Sequence, residues 1–380
     1  MAQIEISESP GRSALLQEHR VWTYIKSVFG PDWTIWRLLI GLVAVWFVLA
    51  QILVIVFPDT SGLRESSANY AKYVIRNGQL YLMFVLMALT WKGLKSTAKT
   101  PKGQSVWPVF KRKAQDWWRG PKYELAGVPG AFILAMILFG LFLLSYSTIK
   151  TRIPSLHPFA LDALFNRLDR IIFLGRDPWQ VFAFLYQHPL LIRIMDFIYD
   201  FWAAILVSTW FFALRFGGAN RSRRYQFVLA LLLTWFIGGN VLAILLSSGG
   251  PVYFEALTGL PSTYPEQMAA LSTINAQTPL RAFEYQQLLW HIYESPGIGL
   301  GGISAMPSMH CGSAFLLYLM FGRGPLTRLL LGGFFLLIFI SSFVLAWHYA
   351  VDGLFVLPVT YGAWKLAGWL VDKSGVDEKI

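Results

Sequence analysis

His310, His348 and Asp352 lie in the last fifth of the chain and have the residue types that nucleophilic catalysis needs. His348 and Asp352 are four positions apart, which would put both on one face of a helix. A carboxylate that accepts a hydrogen bond from one imidazole nitrogen fixes the tautomer and makes the other nitrogen a better nucleophile. His348 is therefore a candidate nucleophile and Asp352 its orienting group, while His310 is a candidate contact to a bound phosphate.

The segment before His310 resembles an anion-binding helix start. It reads Gly-Gly-Ile-Ser-Ala-Met-Pro-Ser-Met-His and runs directly into an apolar stretch. Pro307 suits a first helical turn, where its missing N–H costs nothing, and Ser304 or Ser308 could cap the helix. Free N–H groups and the positive end of the helix dipole attract anions. We expect Ser304, Ser308 and Met309 to contact a bound phosphate beside His310.

The distance between the two histidines along the chain brings them together. His348 follows His310 by 38 residues, and two membrane crossings need about 40. The chain would cross, turn near 321–328 and return, so both histidines would reach the same membrane face. Two His and one Asp could also hold zinc, but nothing in the pattern requires a metal, and we expect no cofactor.

The composition is that of a membrane protein, with 55% hydrophobic and 14% charged residues. Soluble domains carry about 25% charged residues. The predicted fold is an all-α, polytopic bundle of about eight transmembrane helices, with a six-helix catalytic core. The predicted spans cover residues 36–57, 78–94, 126–148, 190–216, 227–246, 304–321, 329–347 and 351–371.

The net charge of +11 concentrates in the loops that this topology puts on one side. The positive-inside rule then places both termini in the cytoplasm and the histidines on the extracytoplasmic side. We expect a membrane-facing role for this charge and no nucleic-acid partner. The predicted regions are 1–125 (N-terminus, two accessory spans and a basic loop), 126–372 (the catalytic core, with outer loops 150–189 and 248–303) and 373–380 (a cytoplasmic tail).

The outer loop 150–189 is unusually basic for its side. Leu161, Leu164, Phe165, Leu168, Ile171 and Ile172 recur in it at helical spacing, which predicts an amphipathic helix in the membrane interface. The basic residues of this segment have two interpretations. They could be snorkelling anchors, or Arg167, Arg170 and Arg176 could bind an anionic headgroup.

Two motifs around the histidines resemble those of the type 2 phosphatidic acid phosphatase superfamily. Pro-Ser-Met-His at 307–310 is similar to that family's Pro-Ser-Gly-His. Ser341-Ser342, five residues, His348, three residues and Asp352 are similar to its Ser-Arg-x5-His-x3-Asp. The resemblance implies that His348 attacks phosphorus to form a phosphohistidine, that His310 protonates the leaving alcohol, and that Asp352 orients His348.

The departures from these motifs concern phosphate binding. The family's Gly is Met309, its phosphate-binding Arg is Ser342, and its upstream Lys-x6-Arg-Pro motif is missing. The pattern without that Arg looks more like the branch of inositol phosphorylceramide and sphingomyelin synthases, and Gly-Gly-Pro-Val-Tyr at 249–253 resembles that branch too. Arg167, Arg170, Arg176 and Arg281 are the candidate phosphate-binding cations, with Tyr253 as a neutral donor.

Three functions stay open. The first is transfer of a phospho-alcohol headgroup from a phospholipid to a lipid alcohol. The second is a lipid or polyprenyl phosphate phosphatase, in which water resolves the phosphohistidine. The third is a non-enzymatic lipid transporter or binding protein, although a transporter would be expected to place its polar residues near the middle of the membrane.

Overall fold

The computed structural model describes residues 32–57, 122–214, 220–294 and 302–376. In these residues the regular structure is helical and contains no β-strand. Its ten longer helices are α1 Trp33–Val56, α2 Lys122–Lys150, α3 Asp162–Ile172, α4 Pro189–Ala213, α5 Arg221–Phe236, α6 Tyr264–Gln277, α7 Arg281–Glu294, α8 Met309–Phe321, α9 Pro325–Val344 and α10 Ala350–Ser374. Short helical turns link them at Ile153–Leu156, Pro178–Val181, Ala183–Gln187, Pro251–Tyr253 and Phe254–Thr258.

Five helices in the described ranges are long and apolar enough to cross a membrane. They are α1, residues 133–150 of α2, α5 with its continuation to Leu245, α9 and α10. Each has at least the 18 residues that a bilayer's hydrocarbon core of about 30 Å requires at the low end of the range. The chain is therefore an integral membrane protein with the predicted all-α, polytopic fold. The predicted span at 78–94 lies outside the described residues.

Two predicted spans differ from the helices that form. The span expected at 304–321 begins only at Met309 and has 13 residues, because residues 304–308 are non-helical. The span expected at 190–216 is the 25-residue helix α4. It carries Arg193, Asp196 and Asp200 in its first half, and it is not among the five helices named above as able to cross a membrane.

Contacts at both ends of α1 give its direction in the bundle. At its start, the Tyr225 hydroxyl donates to Asp32 Oδ2 at 2.8 Å, so α1 begins where α5 begins. At its end, Arg152 Nε donates to the carbonyl of Phe57 at 3.2 Å, close to the end of α2. Helices α1 and α2 therefore run in the same direction, and the end of α2 lies at the same face as the end of α1.

Helix α3 is the amphipathic helix that the 150–189 loop was predicted to contain. Phe165 packs in a buried cluster with Trp179, Tyr264 and Tyr349. Leu164, Ile171 and Ile172 are exposed on the other side, where an interfacial helix contacts lipid. The inner side also buries Asp162 and Asp169, and these carboxylates contact the site described next.

Candidate active site

His348 lies in a tight turn between α9 and α10. Ala346 has a left-handed backbone with φ 60°, and the N–H groups of Trp347 and His348 both donate to the carbonyl of Ser342, at 2.9 and 3.0 Å. Asp352 Oδ2 accepts the backbone N–H of Tyr349 at 3.0 Å and lies 3.2 Å from His348 Nδ1. The expectation that His348 and Asp352 share a helical face is therefore wrong, because α10 begins between them and Asp352 reaches back to the turn.

His310 lies in the first turn of α8. The Ser308 hydroxyl caps this helix by accepting the N–H of Cys311 at 3.5 Å, which is the capping role expected for Ser304 or Ser308. Pro307 lies before the cap and not in the first turn, contrary to expectation. The Ser308 N–H donates to the carbonyl of Asp352 at 3.2 Å, so one backbone hydrogen bond joins the two histidine segments directly.

The two imidazoles lie close together in an aromatic setting. Their ring centroids are 6.0 Å apart and the ring planes are steeply inclined. His310 stacks on Tyr199 at 4.2 Å and contacts the Trp202 ring at 4.3 Å. Among the described residues, no side chain or carbonyl forms a hydrogen bond with the ring nitrogens of His310, so these nitrogens remain available to a substrate.

Residues 248–253 brace both histidine segments from one side. The carbonyl of Ser248 accepts the N–H of Ala305 at 2.9 Å, and the N–H of Val252 donates to the carbonyl of Ala346 at 3.1 Å. Gly250 has φ 99°, and a Cβ added there would lie 2.6 Å from the Trp347 carbonyl oxygen. Only glycine fits this backbone conformation and this close approach.

Two carboxylates of α3 hold the same backbone, and sequence reasoning did not identify them. Asp162 accepts the N–H groups of Gly249 and Gly250 and the hydroxyl of Tyr349. Asp169 accepts the N–H groups of Ala350 and Val351, both at 2.8 Å, and so caps the start of α10. The signal in the sequence was their seven-residue spacing, which puts both acidic residues on one face of an amphipathic helix.

A cavity of about 360 Å³ contains both histidines. Its walls come from α2, α4, α5, α7, the 248–253 segment, the 302–310 segment and the turn that bears His348. The lining is largely aromatic, with Tyr146, Tyr199, Trp202, Trp235, Tyr253, Tyr285 and Trp347. The cations among its described lining residues are Lys150 and Arg281, and the carboxylates are Asp196 and Asp200.

The substrate-binding residues expected from the sequence fall into two groups. Ser304, Met309, Tyr253 and Arg281 line the cavity, whereas Ser308 is buried beside it as the cap of α8. The Tyr253 hydroxyl already donates to the carbonyl of Gln286 at 2.8 Å.

The structure does not place Arg167, Arg170 or Arg176 among the residues that line the cavity. Arg170 forms a two-pronged ion pair with Asp177, at 2.8 and 3.1 Å, and Arg167 and Arg176 are exposed. Lys150 lines the cavity instead. In the sequence it follows the predicted span 126–148 and begins the basic loop 150–189.

The electrostatic setting of His348 favours a neutral imidazole. The residue lies outside both flanking helices but is buried, and burial together with the nearby charge of Lys150 lowers its pKa to about 3. A neutral imidazole keeps the lone pair that a nucleophile needs. Within the described ranges, no three His, Cys, Asp or Glu side chains are grouped as metal ligands.

A family model of the PAP2 superfamily matches residues 164–366, more than half of the chain. The chain belongs to the PAP2 superfamily. No curated protein and no solved structure matches it. Membership supports phosphatase- or phosphotransferase-type chemistry on lipid phosphates. The PAP2 match contains His310, His348 and Asp352, but it leaves out α1, α2 and therefore Lys150.

Proposed function

We propose that this PAP2 protein transfers a phospho-alcohol headgroup from a phospholipid to a lipid alcohol through a phosphohistidine. The observation that carries the proposal is the 6.0 Å separation of the two imidazoles across one cavity, with Asp352 on the Nδ1 side of His348. That spacing leaves room for a phosphorus atom next to one ring and its leaving oxygen next to the other.

In the first step His348 Nε2 forms a bond to phosphorus, and the bond from phosphorus to the diacylglycerol oxygen breaks. His310, protonated beside the anionic donor phosphate, gives a proton to that oxygen, so the leaving group departs as an alcohol and His310 becomes neutral. Asp352 holds Nδ1 and stabilises the positive charge that develops on the His348 ring. The headgroup phosphate stays on His348.

In the second step the hydroxyl of a lipid alcohol attacks phosphorus and the bond to Nε2 breaks. His310, now neutral, takes the proton of that hydroxyl and is ready to act as an acid again. The two imidazoles supply the nucleophile and the acid, so the mechanism is metal-independent. Positioning and charge stabilisation supply most of the catalysis in phosphoryl transfer.

Two observations favour a phosphodiester donor over a lipid phosphate monoester. The motif arginine is Ser342, which is buried, and the described cavity wall carries only two cations and also two carboxylates. A monoester dianion would meet little net positive charge there, whereas a diester carries a single negative charge. This charge balance supports the branch of inositol phosphorylceramide and sphingomyelin synthases within the superfamily.

The distribution of basic residues along the chain supports an extracytoplasmic site and cytoplasmic termini. A lipid alcohol could then reach His348 from the outer leaflet. The exposed apolar side chains of α3, Leu164, Ile171 and Ile172, support the same placement at headgroup depth.

Product analysis tests this function. The purified protein would be incubated with phospholipids labelled at phosphorus, with and without ceramide or another lipid alcohol, and the labelled products separated. We expect label to move to the lipid alcohol, and to appear in it only when both histidines are present. Release of label only as a water-soluble phosphate, unaffected by the lipid alcohol, would identify a phosphatase instead.

A further inference from the structure

The position where the family motif has its phosphate-binding arginine cannot serve that purpose in this chain. Ser342 is fully buried in the last turns of α9. Its hydroxyl donates to the carbonyl of Phe339 at 2.6 Å, and its own carbonyl accepts the N–H groups of Trp347 and His348. Ser342 therefore shapes the turn that bears His348, and the charge on a bound phosphate must be met from another element.

The arginines nearest to the site either form ion pairs with carboxylates or lie away from the cavity. Arg281 pairs with Asp200, and its side chain is 55% exposed. Arg170 pairs with the buried carboxylate of Asp177 and does not line the cavity. A cation that is neutralised by a carboxylate contributes little net attraction to a phosphate.

Lys150 differs from these arginines in its surroundings. It is the last residue of α2 and lines the same cavity as His310 and His348. Its ammonium lies 5.6 Å from the centre of the Tyr146 ring, and within the described residues no carboxylate pairs with it. The influence of its charge on the pKa of His348 agrees with this proximity.

The backbone of Lys150 is held against the segment that leads into His310. A Cβ at Gly302 would lie 2.7 Å from the Lys150 carbonyl oxygen and 2.9 Å from its carbonyl carbon. The chain can make this approach only because residue 302 has no side chain. The end of α2 and the 302–310 segment therefore share one fixed contact, which sets the position of the lysine relative to the histidines.

We propose that Lys150 binds the phosphate of the donor lipid and makes the site selective for singly charged phosphodiesters. The proposal rests on the function proposed above, and it assigns the charge-binding role to a residue outside the matched region 164–366. The ammonium would contact a non-bridging phosphate oxygen in the ground state and stabilise the charge that the equatorial oxygens carry in the transition state.

The test is single-turnover labelling of His348 from vesicles of phosphorus-labelled phosphatidylcholine, phosphatidylinositol or phosphatidylethanolamine, assayed separately. Lys150→Met should slow labelling about tenfold to a hundredfold, the loss typical of one charge-assisted contact in a catalytic site. Lys150→Arg should retain more of the rate than Lys150→Met. Arg167→Met removes a cation from an exposed position outside the cavity and should leave the rate unchanged.

A second arm tests the substrate class with phosphatidic acid at pH 8, where its phosphate is a dianion. The wild-type protein should label more slowly from this monoester than from the best diester. Faster labelling from the monoester would overturn the proposed selectivity. A Lys150→Met rate equal to that of Arg167→Met would overturn the role of Lys150.

These outcomes are separable from the failure of the proposed function. If the wild-type protein takes label from none of the lipids, the phosphohistidine function fails, whatever Lys150 does. If the wild type labels normally and Lys150→Met does so equally fast, only the assignment of Lys150 fails. Lys150→Arg keeps the charge and the long side chain. It therefore shows whether a slow rate in Lys150→Met comes from the lost charge or from a fold defect.

Discussion

At the scale of single residues, the proposed mechanism divides two roles between two imidazoles. His348 is buried, neutral and oriented by Asp352, as a nucleophile requires. His310 has no hydrogen-bond partner among the described residues and stacks between Tyr199 and Trp202, which holds the ring while leaving its nitrogens available. Substrates with different leaving groups distinguish these roles.

The activity of the His310→Ala variant should depend strongly on the leaving group of the substrate, whereas that of His348→Ala should not. An acid that protonates the leaving oxygen contributes about a hundredfold to ten-thousandfold with a poor leaving group. It contributes little when the leaving group is a nitrophenolate. We expect a nitrophenyl phosphodiester to restore most of the first-turnover rate of His310→Ala and none of that of His348→Ala, measured as the initial burst of nitrophenol, because His310 is still needed as a base in the second step. Equal rescue of both variants would contradict the assignment.

Removal of metal ions should not change the rate, because the proposed steps use imidazoles alone. Activity after dialysis against a chelator should equal that of untreated protein. Vanadate, which mimics a five-coordinate phosphorus, should inhibit both preparations. Activity that disappears in chelator and returns with added zinc would favour the alternative in which the two histidines and Asp352 hold a metal.

The sequence identified the candidate catalytic residues well, but it did not identify which cations line the cavity. His310, His348 and Asp352 could be picked out because their residue types are rare in apolar spans and their spacing matches two crossings. Lys150 could not be assigned in the same way, because its role depends on how close the end of α2 comes to Gly302. Arg167, Arg170 and Arg176 were attractive by composition, but the sequence pattern does not show that Arg170 pairs with Asp177.

At the scale of elements, the interfacial helix α3 positions the catalytic turn. Its exposed side carries Leu164, Ile171 and Ile172, and its buried side presents Asp162 and Asp169 to the backbone around His348. The amphipathic pattern predicted the helix. It could not predict what the buried carboxylates contact, since the segments that they hold are roughly 80 to 190 residues further along the chain.

Asp169→Asn should lower turnover without changing apparent substrate affinity. The two oxygens of Asp169 accept the N–H groups of Ala350 and Val351. An amide has one oxygen that can accept and an N–H₂ group that cannot, so the cap on the start of α10 weakens. Loss of a cap costs about 0.5–2 kcal/mol, measurable as a lower thermal midpoint in detergent. The matched control is Arg167→Gln, which changes an exposed residue of the same helix, and it should leave kcat intact. A higher KM with unchanged kcat would contradict the positioning role.

The start of α8 at Met309 was predicted incorrectly from the sequence. The span expected at 304–321 was read as one apolar run, but residues 304–308 stay non-helical and Ser308 caps α8. The backbone bonds that hold this segment, from Ala305 to Ser248 and from Ser308 to Asp352, join residues far apart in sequence. No local pattern contains that information, so the shortened helix could not be predicted.

At the scale of the whole molecule, the site lies at the end of the bundle where α2, α5 and α9 finish and where α4, α8 and α10 begin. The opposite end carries Arg221, which donates to the carbonyl of Val376 near the end of α10, and Arg223, which donates to the carbonyl of Met320. This separation of the histidines from the arginine-rich end supports the proposed orientation.

Cysteine labelling tests that orientation. In a Cys311→Ser background, which removes the only cysteine of the sequence, single cysteines would replace Glu266 and Gly217. Glu266 is exposed on α6 at the active-site end, and Gly217 lies in the loop predicted to be cytoplasmic. A membrane-impermeant maleimide added to intact cells should label Glu266→Cys and not Gly217→Cys. The reverse pattern would place the active site in the cytoplasm.

The most direct test of the central claim is to locate the covalent intermediate. Purified protein would be mixed with excess phospholipid labelled at phosphorus, quenched in alkali, which preserves phosphohistidine, and digested for mass spectrometry. We expect a headgroup phosphate on the imidazole of His348, absent from His348→Ala and lost when a lipid alcohol is added before the quench. Label on any other residue, or label on His348 that a lipid alcohol does not remove, would contradict it.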